Sequence, residues 1–167
     1  MSFAIPEVEW SSNTLDKGAG EDSSQLMKTR EKVLRHATIP LLLGGWKNLM
    51  VDEAFEISFE CSEQGWDGYD AIPLSRDSFS NASRFIYLLP EWAIQPDIIP
   101  SPDGWISFEW RSKNNRIFSV TPENEILIYA ASLGPKDMDC GRVSFGSGLD
   151  KLPSTITKIL AEYFGRE

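Results

Sequence analysis

The chain has 167 residues, 25 Asp+Glu against 16 Lys+Arg, and a formal net charge of −9. That length suits one domain, and 41% hydrophobic with 25% charged residues is a globular composition, which sets aside wholesale disorder and fibrous classes. The acidic balance argues against nucleic-acid binding, which needs a basic face to displace phosphate counterions.

The most apolar run, Ile39–Leu43, is interrupted by Pro40 and closed by Gly44-Gly45. A spanning helix needs about 20 apolar residues, so no membrane contact is expected. Residues 1–10 have no basic n-region and carry Glu7 and Glu9, which argues against a secretory signal and for a cytoplasmic location. Cys61 and Cys140 allow one disulfide by count; two buried thiols in a reducing compartment are the expectation.

Residues 1–23, rich in Ser, Gly and Asn, read as a weakly structured arm, and 24–167 as a single α+β domain. Ser24 is a good N-cap, and Leu26, Arg30, Val33, Leu34 and Ala37 follow helical spacing until Pro40. Residues 48–64 are ambiguous. Phe55, Ile57, Phe59 and Cys61 alternate as in a strand, whereas Asp52 as cap, Gly65 as stop and the length favour a helix. Ser75 caps a further helix with Phe79, Ala82, Ile86 and Leu89 on one face, closed by Pro90.

From Pro96 the pattern is strand-like: a short piece at 97–100, a Ser101-Pro102-Asp103-Gly104 turn, then strands at 105–111, 117–121 and 126–131, with 143–145 as a further pairing segment. Short connections predict an antiparallel meander of three to four strands with helices on one face. In the last helix Pro153 fits the first turn, Leu152, Ile156, Ile159, Leu160 and Tyr163 form an apolar stripe, and Gly165 stands where a C-terminal cap belongs.

Gly65-Trp66-Asp67-Gly68-Tyr69 with Ala71 and Pro73, then 81–90, Pro100-Ser101-Pro102-Asp103-Gly104 through Phe108-Glu109-Trp110, Phe118-Ser119-Val120, Ile128-Tyr129-Ala130 and Leu152-Pro153 resemble a family of small uncharacterised bacterial proteins. The resemblance covers roughly residues 48–165. It implies a helix before the Trp-Asp-Gly segment, no catalytic activity, and a tie to defence or toxin–antitoxin neighbourhoods. After Ala130 the chain departs from the family's Gly-rich continuation.

Catalytic candidates are sparse. His36 is the only histidine, at the end of a predicted helix where the dipole favours a cation. One His and two remote Cys give no zinc spacing. Asp137-x-Asp139-x-Gly141 lacks the glutamate that closes a calcium loop and reads as a polar turn. Gly146-Ser147-Gly148 is followed by Asp150 where a phosphate loop needs Lys. No cofactor is expected.

Trp66-Asp67-Gly68-Tyr69 reads either as a ligand-binding aromatic corner or as a tight turn anchored to the core by both rings. Trp105 falls on the sheet face of Ser107 and Glu109, and Tyr129 joins it in one strand register. Such an aromatic marks a contact patch or lies under the N-terminal arm. Charge is the most uneven feature. Between Lys47 and Arg76 there is no base but there are seven acids, Asp52, Glu53, Glu56, Glu60, Glu63, Asp67 and Asp70, while the other 18 acids nearly balance the 16 bases.

On a helix Glu53, Glu56, Glu60 and Glu63 share one side. They form either a solvated face or a docking face for a basic partner. The leading expectation is a non-enzymatic protein-binding module, an acidic inhibitor, antitoxin or immunity-type protein. Glu53, Glu56, Glu60, Glu63, Asp67, Trp105 and Tyr129 are its partner-binding candidates. The alternatives are a metal-dependent hydrolase or nuclease accessory enzyme using clustered carboxylates, and a structural subunit of a larger complex.

Overall fold

Gly45, at φ +76, opens the first helix, α1 (Gly45–Glu60), of a computed structural model that describes residues 45–112 and 114–165. The predicted arm at 1–23, the helix from Ser24, the boundary between them and His36 lie outside the described residues. Trp46, Met50, Ala54, Ile57 and Cys61 recur at three- and four-residue steps and turn inward. Met50, Ala54 and Cys61 are buried, and Trp46 and Ile57 pack against the core. This phase resolves the ambiguous segment as a helix. Asp52 is not its cap, because the helix begins seven residues earlier.

α2 (Arg76–Leu88) starts as its sequence predicts. The Ser75 side chain accepts from the Ser78 N–H at 3.0 Å, and Asp77 sits in the first turn near the positive helix end. Ala82, Phe85 and Ile86 are buried along it, and the Leu89 N–H closes it on the Phe85 and Ile86 carbonyls.

Five strands follow: β1 (Asp97–Pro100), β2 (Ile106–Arg111), β3 (Ile117–Glu123), β4 (Ile126–Gly134) and β5 (Asp137–Ser144). They form one antiparallel sheet in the order β1-β2-β3-β4-β5. The expected three to four strands are thus five. The stretch read as a polar turn at 137–141 belongs to β5, which pairs along β4 from Gly134↔Asp137 to Ile126↔Ser144. β5 escapes an apolar-pattern reading because it lies at the sheet edge with most of its residues exposed. Asn124, at φ 51, makes the two-residue connection from β3 to β4, a backbone conformation that Asn tolerates.

The last helix, α3 (Ser154–Tyr163), has Pro153 at its N-cap rather than inside its first turn. Ile156, Ile159 and Leu160 are buried and Tyr163 half-buried. Phe164, not Gly165, is its C-cap, and Gly165 instead forms a bridge to Ala93.

The core lies between the helices and the sheet face carrying Ile106, Phe108, Trp110, Phe118, Val120 and Leu127. Phe85 of α2 sits 4.8 Å from the Phe108 ring, and 6.4 Å from both Trp110 and Phe145. Trp110 stacks on Phe118 at 5.4 Å, and Phe118 on Phe164 at 6.1 Å. The Trp110 indole N–H, which must find an acceptor once buried, donates to the Ile94 carbonyl at 2.7 Å.

Candidate functional site

The outward side of α1 carries two kinds of side chain in adjacent rows. Asp52, Glu56 and Glu60 follow one another at four-residue steps and are exposed, and Glu63 is exposed just past the helix end. Beside them run Phe55, 59% exposed, and Phe59, 75% exposed. Glu53 is half-buried on the flank of this face; Glu53 and Glu56 are each engaged in an interaction of their own. Phe55 meets Phe79 of α2 edge-on at 5.7 Å, so apolar surface continues from α1 onto α2. Lys47, the last base before the acidic stretch, is turned away from it. Its Nζ pairs with Glu91 at 2.6 Å and donates to the Tyr87 carbonyl at 3.2 Å.

The connection from α1 to α2 is held by its own hydrogen bonds. The Gly65 N–H donates to the Ala71 carbonyl at 2.9 Å, and the Gly68 N–H to the Gly65 carbonyl at 2.9 Å. The Asp67 carboxylate accepts from the Tyr69 N–H at 2.8 Å and the Ala71 N–H at 3.3 Å, the short-range bonding that makes Asp a turn residue. The Trp66 indole donates to the Ile72 carbonyl at 3.1 Å, and the Ile72 N–H to the Pro102 carbonyl at 2.8 Å. Of the two aromatics predicted to anchor this turn, only Trp66 packs against the core. Tyr69 is 84% exposed. Asp67 is half-buried and occupied in the turn, whereas Asp70 is exposed.

Trp105 and Tyr129 do not share a face. Tyr129 pairs with Val120 in β3 and Gly141 in β5 and lies on the buried side, its ring 6.4 Å from Phe118. Its hydroxyl donates to the Asp139 carboxylate at 3.4 Å. Burial first, and the Asp139 charge second, push the phenol above its ordinary value. Trp105, half-buried, precedes β2 and keeps the alternation of Ser107 and Glu109 away from Ile106 and Phe108. The cysteines also divide: both are free, Cys61 buried and Cys140 exposed on β5. Burial, then the Glu60 charge, raises the Cys61 thiol above its ordinary value.

The structure therefore brings Glu56, Glu60 and Glu63 onto one exposed stretch. Glu53 is at its flank, Asp67 sits within the adjoining loop, and Trp105 and Tyr129 are on the sheet. The sequence reading missed Phe55 and Phe59 as surface residues. The signal was the helical phase itself, since residue 59 falls opposite Met50 and residue 55 about 100° or more around the helix from Met50 and Ala54. Among the described residues no group of three or more His, Cys, Asp or Glu is placed to hold a metal ion, and no helix is long and apolar enough to cross a membrane. Comparison with known proteins finds no matching family model, no matching curated protein and no matching solved structure.

Proposed function

We propose that this chain is a binding protein without chemistry of its own, docking a basic protein partner through the acidic stretch 52–70 in the manner of an inhibitor, antitoxin or immunity protein. One observation carries the reading: the segment that holds most of the net charge presents Asp52, Glu56, Glu60, Glu63 and Asp70 at the surface of α1 and its following loop. These exposed acids lie in a stretch with no Lys or Arg between Lys47 and Arg76, which gives the surface a negative field. A complementary basic surface is drawn to that field, which accelerates encounter. The tie to bacterial defence neighbourhoods implied by the Trp-Asp-Gly-Tyr resemblance accords with this role.

The test is a Glu60→Lys, Glu63→Lys, Asp70→Lys variant measured against the partner recovered from the native host. Each exposed pair contributes only about 0–1 kcal/mol, so the effect is collective. Slower association and a flatter salt dependence are expected. Unchanged rate and salt slope would reduce the segment to a solvated face. A thermal-shift rise with Mg²⁺, Mn²⁺ or Ca²⁺ would favour the metal-dependent alternative instead.

A further inference from the structure

Resting on the acidic docking reading, we infer that the element this surface receives is an amphipathic helix of the partner, with an apolar stripe bordered by Lys and Arg. The acids alone would suit any basic surface. The exposed phenylalanines narrow the choice. Phe55 and Phe59 form a row one helical turn apart, directly beside the row Asp52–Glu56–Glu60. Both rows follow the four-residue ridge that an incoming helix meets with its own ridges. The Phe55–Phe79 contact widens the apolar row toward α2, so the apolar strip lies on the α2 side of the acids. A stripe of Leu, Ile or Met laid on Phe55, Phe59 and Phe79 places flanking Lys or Arg on the side of α1 that carries the exposed Asp52 and Glu60. This is the helix-in-groove mode of recognition, in which apolar anchors recur at three- and four-residue steps. The division of labour follows: acids govern the rate of encounter, and Phe59, the more exposed ring, governs the lifetime of the complex.

The experiment uses the full chain and defined probes. One is an 18-residue Leu/Lys peptide with all Leu on one helical face; the other has the same composition with that face scrambled. Fluorescence anisotropy and stopped-flow give affinity and rates at low and physiological salt. The striped peptide is expected to bind at least about tenfold tighter than the scrambled one. Phe59→Ala removes about tenfold of that affinity through faster dissociation, with the far-UV circular dichroism unchanged. Glu60→Lys with Glu63→Lys slows association instead. Equal binding of the two peptides, no binding of the striped peptide at low salt, or an unaltered lifetime in Phe59→Ala would each overturn the helix inference. If charge reversal still slows association with the natural partner in those cases, the acidic docking reading stands without the helix. If it does not, both fall.

Discussion

Gly65 lies so close to Tyr69 that a side chain there would put its Cβ 2.7 Å from the Tyr69 carbonyl oxygen. Gly65 also takes φ +71, which an L side chain adopts only at a cost. Backbone crowds it, so no rotamer change can relieve the overlap. Gly65→Ala is expected to lower stability by about 2–3 kcal/mol, read as a lower urea midpoint at unchanged slope. Tyr69→Ala in the same loop should stay within about 0.5 kcal/mol of the parent, because the ring is in water.

The two thiols should separate cleanly. Under native conditions a disulfide reagent such as DTNB is expected to titrate Cys140 at once and Cys61 only as the chain opens. The raised Cys61 thiol also gives a pH dependence of definite sign. Unfolding frees a thiol that ionises more readily than in the folded chain, so its contribution to stability is whole below the ordinary thiol range, about pH 8.5, and is lost as pH rises through the folded value. Cys61→Ala should flatten that alkaline decline, measured as the denaturation midpoint from pH 7 to 10.

Phe85 and Phe59 make a controlled pair, since both are helical phenylalanines. Phe85 is fully buried against Phe108, Trp110 and Phe145, and its truncation to Ala should cost about 3–5 kcal/mol. Phe59→Ala should leave the denaturation midpoint nearly unchanged. A comparable loss at Phe59 would show that its ring supports the fold and is not presented for a partner.

The fold was legible wherever burial leaves a regular stripe. Ile106, Phe108 and Trp110 alternate because one side of β2 is core, and Ile156, Ile159 and Leu160 recur because one side of α3 is. β5 carries no such stripe, since an edge strand exposed on most of its length has little apolar surface to repeat. α1 misled in the opposite way. Its aromatics lie on opposite sides, Trp46 inward and Phe59 outward, so counting apolar residues confuses core with surface. The acids of the candidate site were legible because charge needs no phase to be counted. The phenylalanine row beside them was not, because it exists only once the helix fixes which way each ring points.

Every ladder in the sheet joins strands that are neighbours in the chain. During synthesis β1 to β5 can therefore zip in order, each new hairpin laid on the previous one with little loop entropy to overcome. α3 is the last of the described elements to leave the ribosome, and it brings the Phe164 ring that stacks on Phe118. Before that, Phe118 keeps its contacts with Trp110 and Tyr129 but lacks Phe164. A chain stopped before Leu152 would leave the core without Leu152, Ile156, Ile159, Leu160 and Phe164, and such exposed apolar surface favours aggregation.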